Sequence, residues 1–373
     1  LELERSVVVQ EQCTAARDQV KEFQAHFVTV SGARFMKFDR LQPQEKLRDE
    51  IIIYDSVADV RDASARGEVF IFFSHQWLGW SEPDPQRIHV AAMQQAVHNV
   101  SKDTETPLEK IRVWVDYVSI PQRNRSEQKL AIASLPTFAS CCDYFVVVAF
   151  GQILSQEVLD VPKVYPINIH ASLLPKYRGA APIQAAVMNM DKETGITTMV
   201  MAKGMDTGDM LLKASTPIDP DETAQELHDR LSEIGGRLIV DTIHRINAED
   251  LTPEPQDHSL ATTVSMLKKA DGKIDWTLSA PAIRAHINAM TPWPGAFTHL
   301  NGKRLKIFKA VPDEGAVNDT DAGQILACGT DGIRVATGDG RVKILELMGS
   351  SGKRMTADAF LRGNPIDLPA RFE

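Results

Sequence analysis

The sequence predicts an α/β protein: a mostly parallel sheet with flanking helices, followed by a small C-terminal β-barrel. Three observations carry that expectation. Short continuous apolar runs, Val69-Phe70-Ile71-Phe72-Phe73, Arg112-Val113-Trp114-Val115 and Tyr144-Phe145-Val146-Val147-Val148, alternate with helical stretches at about 87–100 and 124–140. That is the pattern of parallel strands buried on both faces. A polar, proline-containing stretch, Asp250-Leu251-Thr252-Pro253-Glu254-Pro255-Gln256, then reads as a linker. Beyond it, Leu300-Asn301-Gly302-Lys303 and Thr337-Gly338-Asp339-Gly340-Arg341 are tight-turn signals between short alternating strands.

Residues 5–30 place Val8, Val9, Ala16, Val20 and Phe23 among charges, a loosely helical pattern that predicts a helix leading into the domain. In the following α/β stretch, Ser74-His75-Gln76-Trp77 and Trp114-Val115-Asp116-Tyr117 sit at strand ends, the edge where open α/β sheets bind ligands. Further on, a strand carries Asn168 and His170, Ile183–Met190 reads as a helix, and Gly195–Met201 and Asp209–Ile218 read as partner strands. Thr223-Ala224-Gln225-Glu226 is a capping box. Leu227, Leu231, Ile234, Leu238, Ile243 and Ile246 then recur at helical spacing and predict a long helix closing this unit. A linker over Asn247–Thr263 leads to one helix, about 279–290, and the barrel.

At 373 residues the chain accommodates two or three domains. Its four cysteines, Cys13, Cys141, Cys142 and Cys328, include only an adjacent pair, which suggests neither a disulfide framework nor a zinc site. A reducing compartment follows, with the cytoplasm expected and a mitochondrion or plastid as alternatives. No apolar run of about eighteen residues or more appears. The opening Leu-Glu-Leu-Glu-Arg is neither a signal peptide nor an initiating Met, so a fragment or processed product is expected. A net charge of -9 excludes a generally basic nucleic-acid binder, yet a local basic face suffices to hold a polyanion. Lys303, Arg304, Lys306, Lys309, Arg341, Lys343, Lys353 and Arg354 are the candidates for such a face, against a plainer reading as solvated strand faces. Gly349-Ser350-Ser351-Gly352-Lys353 fails as a phosphate loop, because Leu347 stands at the first glycine position and Arg354 at the hydroxyl position.

The most informative stretch runs from Asn168 to Asp209. Asn168 and His170, two apart on a strand, share a face, and Asp206 lies in a Gly-flanked turn. Such a set can transfer protons and stabilise an oxyanion without a metal or a covalent nucleophile. Ser172-Leu173-Leu174-Pro175, Arg178-Gly179-Ala180-Ala181-Pro182 and Met205-Asp206-Thr207-Gly208-Asp209 accompany it. Together these motifs resemble the folate-dependent formyltransferases, in particular the methionyl-tRNA formyltransferase branch, from about Phe150 to about Pro365.

That resemblance implies formyl transfer from 10-formyltetrahydrofolate to the amine of initiator methionyl-tRNA, with these two molecules as donor and partner. It implies that His170 polarises the formyl oxygen and shuttles a proton, that Asn168 donates to the oxyanion, and that Asp206 orients the imidazole and helps deprotonate the amine through water. Gln152, Ile153 and Leu154 fall on the pterin side. Ser172, Leu173, Leu174 and Pro175 shape the folate side, and Gly179 permits close backbone approach. Segment 150–258 is then catalytic, and 259–373, with Pro292-Trp293-Pro294-Gly295, is the β-barrel domain that helps hold tRNA.

Segment 49–149, after an N-terminal helical segment 1–48, is similar to TIR-like domains, in which a strand ends in Ser-His-aromatic. This implies, as a second reading, a signalling or self-association module, with NAD cleavage as an activity open to it, that carries an inactive formyltransferase remnant. Glu127 is the candidate carboxylate there, while His75 and Asp116 suit structural hydrogen bonds. The Gly-rich turn and basic tRNA-contacting loop that open the formyltransferase pattern are not found, and the two likenesses meet at 146–154. A fusion within one sheet is therefore expected, with impaired tRNA recognition.

Overall fold

The three apolar runs all become strands, because each alternates between two buried faces. The computed structural model describes residues 23, 25–47, 49–74, 88–120, 126–127, 138, 141–148, 166–314, 322–349 and 352–373. The chain divides into two compact units, one of residues 1–178, 195–214 and 232–261, the other of 179–194, 215–231 and 262–373.

Strands β1 (Phe27–Ser31), β2 (Ile51–Tyr54), β3 (Val69–Ser74), β4 (Ile111–Val115), β5 (Tyr144–Val148), β6 (Pro166–His170), β7 (Glu193–Val200) and β8 (Met210–Pro217) form a sheet. Among the described residues its order is β2-β1-β4-β3-β5-β6-β7-β8. The expected mostly parallel sheet is corrected to a mixed one. The middle is parallel, with β3 beside β4 and β5, and β5 beside β6. β1 runs antiparallel to β2 and β4, and β6 antiparallel to β7. A parallel neighbour needs a long crossover, and helix α2 (Ile88–Asp103) supplies one between β3 and β4.

The predicted helix over 5–30 is corrected at its end. Residues 5–22 lie outside the described residues, and Phe27–Ser31 is a strand. Val28, Thr29 and Val30 are β-branched, which suits a pleated position, and all three are buried.

On one face of the sheet, Ile71, Phe73, Val113, Val146 and Ile167 pack with Val90, Val97 and Val100 of α2 and with Ile239 and Ile243 of helix α4 (Ala224–Asn247). On the other, Phe27, Phe70, Phe72, Trp114 and Val147 pack with Val60 and Ala63 of helix α1 (Val57–Ala65). Trp114 stacks on Phe72 with ring centroids 4.0 Å apart. The sheet crosses the junction of the two sequence likenesses without a break, since Val146 pairs with Ile167 and Val147 with Asn168. At the start of α4 the predicted capping box forms: Glu226 N–H donates to Thr223 Oγ1, and Thr223 N–H to Glu226 Oε2 at 2.9 Å. The Thr223 N–H and the Thr223 hydroxyl, both donating to Glu226 Oε2, hold its carboxyl below its usual range.

In the second unit, helix α3 (Pro182–Met188) precedes a barrel. Its strands are β9 (Phe297–Leu300), β10 (Lys303–Asp313), β11 (Gln324–Gly329), β12 (Gly332–Ala336), β13 (Arg341–Met348), β14 (Arg354–Thr356) and β15 (Ala370–Arg371). Their order is β9-β10-β13-β12-β11-β15, with β14 beside β13. Both predicted hairpin turns join neighbours, Leu300 pairing with Lys303 and Ala336 with Arg341. Just past β15, Glu373 exchanges backbone hydrogen bonds with His299 of β9 at 3.0 and 3.3 Å, which brings the barrel close to closure. Helix α5 (Ala280–Met290) buries Ile283, Ile287 and Met290 completely.

His286, also on α5, is mostly buried, and that burial lowers its pKa below 6.5 despite a hydrogen bond to Gly272 and the charges of Asp271 and Asp275. The folded state therefore binds fewer protons than the unfolded chain below pH 6.5. The associated stability is complete above that value and is lost as the pH falls through it toward the folded pKa. Thermal unfolding of this unit should fall in midpoint between about pH 7.5 and about pH 5.5, and His286→Gln should flatten that slope. Parallel profiles for the two proteins would sink the prediction.

Candidate active site

Strand β6 places Asn168 and His170 on one face while Ile167 and Ile169 turn to the core behind it. His170 lies opposite Thr197 of β7. The fully buried Thr197 ties down the loop that follows His170, because its hydroxyl donates to Ser172 O at 2.7 Å and accepts from Leu174 N–H at 3.1 Å. The Ser172 hydroxyl donates to the Lys176 carbonyl, so it is engaged inside the loop. Leu174 packs with Met199 and Met210. The loop beginning at Ser172 is thus held by hydrogen bonds to Thr197 and to its own backbone.

Asp206 reaches the same place from the turn between β7 and β8. It adopts φ +50°, a left-handed conformation that Asp tolerates better than most residues. Two positions on, a Cβ at Gly208 would lie 1.8 Å from Val200 O, so only glycine lets the turn close against its own strand. The result brings the three predicted residues together. Asn168 Nδ2 donates to Asp206 Oδ1 at 3.3 Å, and His170 Nδ1 stands 3.6 Å from Asp206 Oδ2.

On its other side His170 Nε2 lies 2.9 Å from Tyr177 O. A carbonyl only accepts, so Nε2 carries a proton and Nδ1 is the nitrogen turned toward the carboxylate. At 3.6 Å that contact is electrostatic, not a hydrogen bond. The imidazole is held by its outer edge at Tyr177 while its inner edge faces Asp206, the carboxylate to which the Asn168 amide donates. An amide donor, an imidazole and a carboxylate converging in this way can polarise a carbonyl and accept a proton from an attacking nucleophile.

A second layer was not legible in the sequence. Gln256, from the stretch read as a linker, is only 5% exposed. Its Nε2 donates to Asp206 O at 2.9 Å and Gly208 O at 2.7 Å. Its Oε1 accepts from Arg178 Nε at 3.0 Å and Nη2 at 2.7 Å. Glu254 and Met210 exchange backbone hydrogen bonds at 2.8 Å, fastening the same stretch to β8.

Other expectations fall elsewhere. Gln152, Ile153, Leu154 and His75 lie outside the described residues, and Glu127 is exposed. Gly179 belongs to the second unit and adopts φ +110°, which its missing Cβ allows. Among the candidate basic residues, Arg341 pairs with Asp313, Lys343 with Asp331 and Arg354 with Glu346. Lys303, Arg304 and Lys309 of β10 are exposed, with Arg304 lying over the Phe297 ring. Among the described residues no group of three or more His, Cys, Asp or Glu side chains is arranged to hold a metal, and no helix is long and apolar enough to cross a membrane.

A family model described as formyl transferase matches residues 82–243, and one for the formyl transferase C-terminal domain matches 266–365. Methionyl-tRNA formyltransferase of Citrifermentans bemidjiense is 50% identical over 221 residues, covering 59% of this chain and 69% of that protein. The chain belongs to the methionyl-tRNA formyltransferase family. As a member of the formyltransferase family it is a transferase. The family match begins at residue 82, inside the segment with the TIR-like resemblance, so the formyltransferase likeness starts well before Phe150.

Solved structures agree at the level of fold. HypX from Aquifex aeolicus, in complex with tetrahydrofolic acid, matches with a TM-score of 0.53 at 17% identity, over 78% of this chain and 46% of HypX, so this chain spans about half of that protein. The N-formyltransferase from Helicobacter canadensis, in complex with folinic acid and dTDP-3-aminofucose, matches with a TM-score of 0.53 at 18% identity, over 74% of this chain and 98% of that one.

Proposed function

We propose that this member of the family transfers the formyl group of 10-formyltetrahydrofolate to the amine of methionyl-tRNA, using Asn168, His170 and Asp206. The observation that carries this reading is the convergence of those three side chains, with Asn168 donating to Asp206 at 3.3 Å and His170 Nδ1 at 3.6 Å. Half-identity to a methionyl-tRNA formyltransferase supports the acceptor. The tetrahydrofolic and folinic acids bound by structures of the same fold support the donor.

In the proposed reaction the amine nitrogen attacks the formyl carbon, and a new C–N bond forms as the carbonyl oxygen becomes an oxyanion. Asn168 donates its amide hydrogen to that oxygen, and His170 faces the same centre through Nδ1. Asp206 takes the proton lost by the amine through an intervening water. The bond from the formyl carbon to the folate nitrogen then breaks as His170 shuttles the proton taken up by Asp206 on to that nitrogen, releasing tetrahydrofolate and the formylated amine. Lys303, Arg304 and Lys309 on β10 offer tRNA phosphates a basic strip.

The TIR-like resemblance of 49–149 remains a reading of sequence. The formyl transferase match from residue 82 and the unbroken sheet favour this segment as scaffold of the site over a separate signalling or NAD-cleaving module.

The test is formyl transfer with tetrahydrofolate release followed in the same reaction, comparing methionyl-tRNA with a nucleotide-linked amino sugar as acceptor. Transfer to methionyl-tRNA alone supports the proposal, and transfer only to the sugar amine overturns the acceptor. Asn168→Ala should lower kcat by about 100- to 1000-fold, the cost of one oxyanion donor. A variant within a few-fold of the parent would remove Asn168 from that role.

A further inference from the structure

We propose that Gln256 is a positioning residue for formyl transfer, setting the Asp206 carboxylate by clamping the backbone of its turn. This rests on the reading of Asp206 as catalytic. The turn has two features that need external support. Asp206 sits in the left-handed region, and the carbonyls of Asp206 and Gly208 need donors in part-buried and buried surroundings respectively. A primary amide has two hydrogens on nitrogen and two lone pairs on oxygen. Gln256 uses all four, giving both hydrogens to the turn carbonyls and both lone pairs to Arg178.

Each neighbour limits the alternatives. Arg178 is 6% exposed, and its guanidinium, which only donates, holds the amide oxygen and so fixes which end of Gln256 faces the turn. The backbone bonds between Glu254 and Met210 set the distance of Gln256 from the turn. Asp206 is thus fixed through its main chain by Gln256 and through its side chain by Asn168. With the main-chain clamp removed, the carboxylate is free to shift relative to His170, and a displacement of about 1 Å in such a site costs on the order of a hundredfold in rate.

Gln256→Glu separates this role from general stability. The variant keeps the size of the side chain and an acceptor for Arg178, but turns a carboxylate oxygen instead of an amide nitrogen toward the two carbonyls. In this 373-residue chain we expect kcat to fall by about a hundredfold with the KM for 10-formyltetrahydrofolate little changed. Amide hydrogen exchange should accelerate in 202–210 and not elsewhere. The same assays on Asp206→Asn separate the two claims. A loss with Asp206→Asn but none with Gln256→Glu overturns the proposal and leaves the catalytic reading standing. If Asp206→Asn transfers at the parent rate, the catalytic reading falls and the proposal with it. A drop in kcat without faster exchange in 202–210 also overturns the clamp. Should the variant fail to fold, the unmodified protein still decides: both Gln256 side-chain amide protons should exchange slowly by NMR, and exchange at the rate of a solvated amide would refute the proposal.

Discussion

Replacing His170 with alanine is expected to abolish measurable formyl transfer while the protein stays folded. Proton transfer by a placed imidazole is worth about 100- to 10,000-fold, and His170 meets both the Asp206 carboxylate and the loop carrying Tyr177. The substitution also removes the His170 hydrogen bond to the Tyr177 carbonyl, a loss of about 0.5–1.5 kcal/mol. His170→Gln is therefore the companion, since its amide can still donate to that carbonyl but cannot shuttle a proton. Both variants should lose kcat and kcat/KM together, the mark of an interaction made in the transition state. Folate binding and the thermal midpoint of the glutamine variant should stay near those of the parent. Transfer within a few-fold of the parent in either variant would show that another group carries the proton.

The parts of the molecule that were legible share a physical cause: their information is local. The runs around Phe72, Val113 and Val146 read as strands because burial on two faces demands unbroken apolar sequence. Asn168 and His170 read as one face because the strand period is two, and the Thr223–Glu226 capping box forms because its partners are three residues apart. The Asn301-Gly302 hairpin is equally local.

What was illegible depends on partners far along the chain. Strand direction at the flanks of the sheet follows from connections, not from composition, so the antiparallel β1 and β7 pairings were missed. The strand at Phe27–Ser31 carries the same apolar residues that a helix would use, and only its neighbours Ile51–Tyr54 and β4 decide between them. Gln256 stood in a proline-containing stretch typical of linkers, and its role appears only once Arg178, 78 positions earlier, folds beneath it. Barrel closure rests likewise on Glu373 meeting His299.

The unbroken sheet makes a second strong expectation, about stability. Ile71 is 1% exposed on the central strand β3, in a core that also takes in Ile167 beside Asn168, and Ile239 and Ile243 of α4. Ile71→Ala removes three carbons from that core and should destabilise the first unit by about 2–5 kcal/mol. Because the same core backs β6, the loss should not stay within residues 27–120. Urea unfolding should shift to lower midpoint as one transition, and hydrogen exchange in 166–178 and 232–247 should accelerate with that in 69–74. Transfer activity should then disappear at lower urea than in the parent. If instead 69–74 opens alone and 166–178 keeps its protection, the strands before Phe150 are an appendage and the site is braced by its own segment. The continuous register Val146–Ile167 and Val147–Asn168 argues for the first outcome, because a strand cannot leave the middle of a sheet without exposing the hydrogen-bonding edge of its neighbour.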